Sequence, residues 1–342
     1  MDKRLMLAVA GAGQTTHIVN SLTPEKRSLI ITYTKCNYDN LLCKIAKKFN
    51  ERWPENVTLM RYFPFLYQFC YKPFLADIIR AKGITYNDPP PRIPNKKRAY
   101  YISPQGYFYS NRLAYYFEKK GVIEDIKYRI TKYFDEFVVD EVQDIASRDF
   151  NFLELLMLMD TDILFVGDFY QHTFDTSRDQ NVNSSLFNDF KKYIKRFESK
   201  GISCDNNTLA RSWRCGHGVC DYITDNLGIE IRSNRKTRND TSVIFVSGVD
   251  EAKQILEDDK IIKLHYRKSR SYGVDHRNWG ETKGEDKYQD VCVLLNKKTM
   301  EEYHAGRLSK LAPSTRNRLY VAITRARGNV YLIDESMCKV LM

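Results

Sequence analysis

The sequence lacks a hydrophobic run long enough to cross a membrane, which needs roughly 18 to 20 consecutive apolar residues. The longest candidate, residues 152–159, contains Glu154. The sequence also lacks an internal repeat and a low-complexity tail. Leu, Ile, Val and Phe are too abundant for a disordered chain, so we expect a soluble protein with packed cores.

Disulfide bonds and a signal peptide are not expected either. The eight cysteines are scattered along 342 residues, a chain large enough to fold without cross-links, which favours a reducing cytoplasm. The apolar run at residues 5–12 is short and leads into a loop-like stretch, so it predicts a buried strand. Cys215, His217 and Cys220 raise the question of zinc, but a fourth ligand at suitable spacing is missing, and structural thiols are the alternative.

Positive charge is what the chain has in excess. Its 54 Lys and Arg residues against 43 Asp and Glu residues give a formal net charge of +11. Each Lys or Arg placed on a phosphate releases condensed counterions, so this excess favours a nucleic-acid partner. On charge alone, a basic protein without such a partner remains the alternative.

The length and the hydrophobic pattern predict two α/β domains, at residues 1–200 and 201–342. In the first, β-branched runs flank a segment of helical length, as in a βαβ unit with a parallel sheet. Its strand candidates lie at residues 5–10, 28–34, 137–139 and 162–166. In the second domain a helix is expected at about 313–325, and strand candidates lie at residues 243–246, 261–264, 291–295 and 330–333.

Residues 50 to about 134 differ in character from their surroundings. A proline cluster at 88–94 predicts a loop over 88–98, because proline fixes φ and cannot donate to a strand ladder. A tyrosine-rich stretch follows at 100–117. We interpret the segment as an insertion into the first domain, with its aromatic residues serving mainly in packing.

A glycine-rich segment follows the first strand and precedes the first helix. In this context small residues let backbone N–H groups close around phosphate oxygens, and a hydroxyl after the turn can bind Mg²⁺. The spacing is that of a P-loop, except that Gln14 stands where lysine is expected. A glycine-rich turn without a ligand is the alternative. The candidate nucleotide-binding residues are Gly11, Ala12, Gly13, Gln14, Thr15 and Thr16.

Gln14 is the most consequential departure. A lysine would offer its ammonium group to the β- and γ-phosphates, whereas glutamine is shorter, neutral and donates only amide hydrogen bonds. We therefore expect the backbone cradle to survive and hydrolysis to fall sharply.

Two strand ends carry acidic residues. Asp140 and Glu141 follow the strand at 137–139, where an aspartate can hold Mg²⁺ and a glutamate can activate water. Asp168 and Gln171 follow the strand at 162–166, and the amide of Gln171 could sense a γ-phosphate. The alternatives are a solvated turn for the first pair and a helix-capping aspartate for the second.

Taken in order, these motifs resemble those of the UvrD/Rep-type DNA helicases of superfamily one, over nearly the whole chain. Residues 31–34, 140–144, 167–171, 209–214, 282–285 and 320–327 match motifs of that family. The resemblance implies an α/β fold of two RecA-like P-loop NTPase domains with parallel sheets and a small, mostly helical insertion in the first. A large second-domain insertion is lacking, so this is a compact form.

The resemblance also implies site residues, with ATP and Mg²⁺ as cofactors. The implied catalytic residues are Glu141, Gln171, Arg214 and Arg325, the last two as arginine fingers. Thr15 and Asp140 would hold the metal, and Glu285 would contact the nucleotide sugar. The implied DNA-binding residues are Thr32, Tyr33, Thr34, Tyr62, Phe63, Phe174 and Thr282, although packing is the alternative for the rings of 62–67. The family's adenine-reading segment upstream of the P-loop is not found before the first strand.

The sequence therefore predicts a cytoplasmic, ATP-dependent single-stranded DNA translocase or helicase whose hydrolysis is impaired by Gln14, whether that residue is engineered or a tolerated variant. The alternative is a nucleotide-binding pseudo-helicase that acts as a DNA-binding scaffold or switch in a larger complex. A nuclease would need a further carboxylate cluster, which the sequence does not provide. Partly duplex DNA is a further expected partner, and a partner protein could supply strand separation or nuclease activity.

Overall fold

The structure is a computed structural model, and it describes residues 1–173, 179, 181–237, 241–273 and 276–341. These residues divide into two units. Unit 1 comprises residues 1–6 and 14–167 and the described residues of 175–205. Unit 2 comprises residues 7–13 and 168–173 and the described residues from 206 onward.

Apolar runs of the sequence form the strands of a six-stranded sheet in unit 1, in the order β3-β2-β6-β7-β1-β8. The strands are β1 (Lys3–Ala8), β2 (Ser28–Thr32), β3 (Val57–Arg61), β4 (Ile84–Thr85), β5 (Phe108–Tyr109), β6 (Glu136–Asp140), β7 (Asp162–Gly167) and β8 (Ser203–Leu209). The last residues of β1 and β8 belong to unit 2. β2 pairs in parallel with both β3 and β6, and β6 pairs in parallel with β7.

Helices connect these strands. They are α1 (Gln14–Ser21), α2 (Lys35–Lys48), α3 (Tyr62–Pro64), α4 (Lys72–Leu75), α5 (Ser110–Lys120), α6 (Ile123–Tyr133), α7 (Ser147–Leu156) and α8 (Phe190–Glu198). All residues of β2 and β6 are buried. Strands of a parallel sheet that is covered on both faces read as continuous apolar runs, which is why these two were recognisable in the sequence.

Between β3 and β6 the chain leaves the main sheet. A π-helical stretch, Phe65–Tyr71, joins α3 to α4, and its residues Phe65, Leu66 and Tyr71 are buried. The short strands β4 and β5 then pair in parallel with each other, and α5 packs against α7. The proline-rich stretch at 88–94 contains no helix or strand, as predicted for a loop.

Unit 2 contains a five-stranded sheet in the order β11-β15-β14-β12-β13 and a two-stranded pair, β10-β9. Its strands are β9 (Arg211–Ser212), β10 (Arg232–Ser233), β11 (Val243–Phe245), β12 (Ile262–His265), β13 (His276–Asn278), β14 (Val291–Leu295) and β15 (Val330–Asp334). Its helices are α9 (His217–Leu227), α10 (Val249–Glu257), α11 (Lys297–His304), α12 (Pro313–Ile323) and α13 (Glu335–Leu341).

The central strand β14 shows how unit 2 is packed. Val291, Val293 and Leu295 join one hydrophobic cluster, and the alternate residues Cys292 and Leu294 join another. Successive side chains of a strand point to opposite faces, so the sheet has a core on each side. In the described part of the chain, no helix combines the length and apolar character needed to cross a bilayer.

Candidate nucleotide-binding site

The loop after β1 turns at two glycines with left-handed backbone conformations. Gly11 and Gly13 have φ values of +74° and +86°, a region that glycine adopts without the penalty paid by other residues. The N–H of Ala12 donates to the carbonyl of Val9 (3.1 Å), and α1 begins at Gln14. The free N–H groups at the start of a helix favour an anion, so this turn is suited to a phosphate group.

Gln14 and the two threonines that follow it belong to unit 1. The Gln14 Oε1 atom is buried and accepts no hydrogen bond from any described residue. A half-turn of the side-chain amide exchanges Oε1 with the NH₂ group, which can then donate to a phosphate oxygen. The hydroxyl of Thr16 accepts a hydrogen bond from Lys44 Nζ (3.0 Å), which brings an ammonium group of α2 to the first turn of α1.

The acidic strand end also lies in unit 1. Asp140 is the last residue of β6 and is buried, and α1 packs against this strand. Glu141 has a left-handed backbone conformation, φ +56°, and its carboxylate accepts a hydrogen bond from the Gln143 side-chain amide. Asp140 thus offers a carboxylate, an oxygen ligand that Mg²⁺ prefers, at the end of β6, and Thr15 lies in the first turn of α1, which packs against this strand.

A buried hydrogen-bond network links the loop to two other segments of unit 2. The N–H of Ala10 donates to the hydroxyl of Tyr320 (2.9 Å), and this hydroxyl donates to Asp168 Oδ2 (3.0 Å). The Gln171 amide donates to the same carboxylate oxygen (2.9 Å). Burial, followed by the charge of Asp168, raises the pKa of Tyr320 well above its ordinary value, so the phenol keeps the proton that it donates.

Arg325 extends this network. Its side chain is almost fully buried, and it donates to the backbone carbonyls of Val321 (3.1 Å), Thr282 (3.3 Å) and Glu285 (3.1 Å). Its second terminal nitrogen lies 3.5 Å from Gln171 Oε1. A buried charge is costly unless it is hydrogen-bonded, and these oxygens meet that need. Arg325 thus joins the segment that contains Thr282 and Glu285 to Gln171.

Arg214, the other arginine singled out in the sequence, is held differently. Its Nε donates to Asp286 (2.7 Å) and one terminal nitrogen donates to the carbonyl of Thr324 (3.1 Å). Burial raises the pKa of Asp286, but Arg214 and, to a smaller extent, Arg327 outweigh this effect and lower it below its ordinary value. An anion that binds Arg214 must therefore compete with a carboxylate.

Arg214 also lies directly beside the loop. A Cβ atom added to Gly11 would be 2.6 Å from the Cβ of Arg214 and 2.9 Å from the hydroxyl of Ser212. Real Cβ atoms essentially never approach so closely. Glycine at position 11 is thus required both by its φ value and by this neighbour.

The same fold occurs in solved helicases. Two structures of arterivirus nonstructural protein 10, a helicase, match the chain with a TM-score of 0.52 each. One is 15% identical and the other, solved with DNA, is 14% identical; each match covers 99% of this chain. The chain spans 62% and 63% of the length of those proteins. No protein-family model and no curated protein matches the chain.

The predicted fold class is confirmed. At this level of identity the likeness shows the fold alone: an α/β chain with parallel sheets, as in the RecA-like domains of helicases. The similar structures are helicases of arteriviruses, and this similarity does not identify the UvrD/Rep type.

The predicted DNA-binding residues of unit 1 differ in exposure. Thr32 is buried, Tyr33 is partly exposed, and the hydroxyl of Thr34 caps α2 by accepting from the N–H of Asn37 (3.1 Å). Tyr62 and Phe63 are buried, with 3% and 7% of their surfaces exposed. Both rings are therefore packed in the interior.

Two further predicted DNA-binding residues lie elsewhere. In unit 2, Thr282 is fully buried and its hydroxyl donates to the carbonyl of Trp279 (3.1 Å). Phe174 lies outside the described residues. The thiols of Cys215 and Cys220 are buried, and His217 Nε2 is 2.8 Å from the carbonyl of Arg235, so these three side chains have protein contacts of their own.

Trp213 is a candidate that the sequence reasoning missed. Trp213 is 67% exposed, yet its backbone N–H donates to the carbonyl of Gly11 (2.9 Å) and the neighbouring Ser212 hydroxyl donates to the carbonyl of Ala10 (2.7 Å). These two bonds hold the backbone that carries a large exposed ring against the phosphate loop. The signal in the sequence was an aromatic residue directly before Arg214, in a motif that was used for its arginine alone.

Proposed function

We propose that the chain binds a nucleoside triphosphate with Mg²⁺ at residues 8–16 and acts on single-stranded nucleic acid, as a compact UvrD/Rep-type helicase of superfamily one. The observation that carries this proposal is the buried network from Ala10 through Tyr320 to Asp168 and Gln171. It connects the backbone of a phosphate loop to residues distant in sequence, as a protein needs if nucleotide is to change its conformation. The likeness to helicases, one of them solved with DNA, supports it.

On this proposal the loop and its neighbours bind the nucleotide. Backbone N–H groups of Gly11 and Gly13 bind the phosphates, and Ala12, whose N–H donates to Val9, keeps the turn closed between them. Thr15 and Asp140 are the Mg²⁺ ligands. The bound metal would neutralise phosphate charge. Glu285 contacts the sugar, and the exposed ring of Trp213 is available to stack on the base.

Catalytic roles follow the same proposal. Glu141 orients or deprotonates the attacking water, Gln171 responds to the γ-phosphate, and Arg214 and Arg325 stabilise its developing charge. The proposed domains are 1–200 and 201–342. The partly exposed Tyr33 and Thr34 belong to the proposed nucleic-acid path, whereas the side chains of Thr32 and Thr282 are buried.

Gln14 limits hydrolysis in this proposal. Its amide can donate to a phosphate oxygen, but it carries no charge to offset that of the triphosphate. We expect ATP to bind and to be hydrolysed slowly.

The test is steady-state ATP hydrolysis with and without single-stranded DNA. Gln14→Lys should raise the rate by on the order of 10²-fold, since single electrostatic contacts to a transition state have effects of this size. Gln14→Met, neutral and of similar length, is the matched control and should not raise it. If Gln14→Lys shows no DNA-stimulated hydrolysis, the motor proposal fails. If the unsubstituted chain is as fast as Gln14→Lys, the interpretation of Gln14 fails.

A pseudo-helicase that binds nucleotide as a switch is the second candidate. The ion pair of Arg214 with Asp286 favours it, because that arginine is already neutralised within the protein. In this case ATP should change the affinity of the unsubstituted chain for single-stranded DNA although hydrolysis is negligible. Unchanged affinity would remove this candidate.

A further inference from the structure

Tyr86 has the most exposed large apolar side chain of unit 1 after Met1, among the residues described there, at 69%. Its ring packs edge-on against Phe63, with 5.2 Å between centroids and an interplanar angle of 74°. Phe63 packs in the same manner against Tyr33, at 5.8 Å and 63°. Tyr33, Phe63 and Tyr86 therefore form a row of rings, which we call the aromatic row, with Phe63 buried in the middle.

The backbone beneath Tyr86 is held in place. Tyr86 directly follows β4, which pairs with β5 in the register Ile84 to Phe108 and Thr85 to Tyr109. The N–H of Lys82 donates to the carbonyl of Gly106 (2.8 Å) just before this strand. Phe108 and Tyr109 are buried, so the exposed ring stands at the end of a strand anchored in the interior.

The segments that carry the aromatic row have charge of one sign. Residues 28–35, 57–63 and 82–87 contain Lys35, Arg61 and Lys82 and no acidic residue. All three basic side chains are exposed, and none forms an ion pair within the described part of the chain. Arg61 lies opposite Thr32 in the register of β3 and β2, and Tyr33 is the next residue along the chain.

We propose that Tyr86 is a stacking platform for a base of single-stranded nucleic acid, with Phe63 and Tyr33 supporting its ring and with Arg61, Lys35 and Lys82 binding neighbouring phosphates. The proposal rests on the proposed function. An exposed ring together with exposed cations on the same three segments suits the bases and phosphates of a single strand, because every base has a face that stacks and every linkage carries a charge. The platform differs from the residues named above for this role, since Tyr62 and Phe63 are buried.

Tyr128 provides a matched control. It is 66% exposed and also belongs to unit 1, but it lies on the surface of α6, where the ammonium group of Lys132 is 5.8 Å from its ring centroid. If the loss of any exposed tyrosine weakened binding, alanine at either position would do so. If Tyr86 is a stacking platform, only Tyr86→Ala should weaken binding.

The experiment is fluorescence anisotropy of the full chain with labelled oligothymidylate and oligouridylate of about 16 nucleotides. Tyr86→Ala should weaken binding by roughly 5- to 150-fold, the effect of one aromatic–base stack, and Tyr128→Ala should leave it unchanged. Tyr86→Phe and Tyr86→Trp should restore it. The dependence of binding on salt should keep its slope in Tyr86→Ala, whereas Arg61→Ala should reduce the slope by about 0.7.

A second measurement needs no substitution in the protein. Oligonucleotides with one abasic position should bind the unsubstituted chain more weakly when the missing base is the one that would stack on Tyr86. The affinity of Tyr86→Ala should not depend on where the abasic position lies. If Tyr86→Ala binds like Tyr128→Ala and no abasic position matters, the platform is overturned while the proposed function stands. If the unsubstituted chain binds neither DNA nor RNA, the proposed function fails and the platform with it.

Discussion

The two halves of the phosphate loop are adjacent in sequence but are held in different ways. Through their own backbone groups, residues 10 and 11 make three hydrogen bonds to distant residues of unit 2. The Ala10 N–H donates to the Tyr320 hydroxyl, the Ser212 hydroxyl donates to the Ala10 carbonyl, and the Trp213 backbone N–H donates to the Gly11 carbonyl. For residues 14–16, by contrast, the contacts that distinguish this half of the loop are made or left open by side chains. Gln14 Oε1 has no partner among the described residues, and Thr16 accepts from Lys44.

This difference shows which property of the loop depends on residue 14. The shape of residues 10–13 is fixed by glycine backbone conformations and by hydrogen bonds within unit 2, and neither involves a lysine. The charge offered to a phosphate depends on the side chains of 14–16 and their neighbours. Replacement of lysine by Gln14 therefore changes the chemistry of the loop more than its structure.

The largest expected effect on stability comes from a substitution at residues 10 and 11, the half of the loop that is held through its backbone groups. Gly11→Ala should lower the free energy of unfolding by about 2–5 kcal/mol, because an L-residue at φ +74° is strained and its Cβ would meet Arg214 at 2.6 Å. Gly306→Ala is the control, since φ there is +63° and nothing lies within 4 Å of the added Cβ. It should cost about 1–2 kcal/mol. Equal losses in denaturant unfolding would contradict the close packing of Gly11 on Arg214.

A smaller effect is expected from Tyr320→Phe. This change leaves the Ala10 N–H and the Asp168 carboxylate each without one buried partner, which costs about 1–3 kcal/mol. Tyr222→Phe is the control, because the Tyr222 hydroxyl is buried and has no hydrogen-bond partner in the described residues. Thermal unfolding of both variants should show a loss for Tyr320→Phe only. An unchanged unfolding temperature of Tyr320→Phe would mean that the network does not hold the loop.

Elements were predictable from the sequence where burial is continuous. The runs at 28–34 and 137–139 correspond to β2 and β6, since both faces of these strands are covered. The limits shift where a polar residue ends the strand: Thr34 caps α2, so β2 stops at Thr32.

Contacts between distant segments were not predictable in this way. Ala10 and Tyr320 are 310 residues apart, and no local pattern pairs them. Likewise, Phe63 and Tyr86 are both aromatic in the sequence, but only the fold buries one and exposes the other. Asp286 was not singled out because an acidic residue in a polar stretch has no distinctive spacing, although it forms an ion pair with Arg214.

Lys44 tests the side-chain half of the comparison. Lys44→Ala should weaken binding of a fluorescent ATP analogue by about 2- to 5-fold, the usual size of a partly exposed charge contact. Lys47→Ala, on the same helix and exposed, should have no effect. The loss should shrink as salt is added, because salt screens exposed charges. Equal affinities of the two variants would mean that Lys44 supplies no charge to the loop.

The smallest effect should come from Asp286→Asn, which releases Arg214 without touching the loop. Affinity for triphosphate should rise by about 2-fold, because the anion no longer competes with a carboxylate.

The pKa of Asp286 is lowered in the folded protein, so the stabilising contribution of its ion pair is complete above its ordinary pKa of 3.8 and is lost as the pH falls through the folded value.

The pH dependence therefore separates the ion pair from other effects of Asp286→Asn. At about pH 7 the variant should be less stable than the unsubstituted chain by about 0.2–1 kcal/mol, since the pair is partly exposed. As the pH falls well below 3.8, Asp286 becomes protonated and the two proteins should converge in unfolding midpoint. A difference that persists in acid would assign the effect to packing, and a weaker triphosphate affinity would show that Asp286 orients Arg214 for the phosphate instead of withholding it.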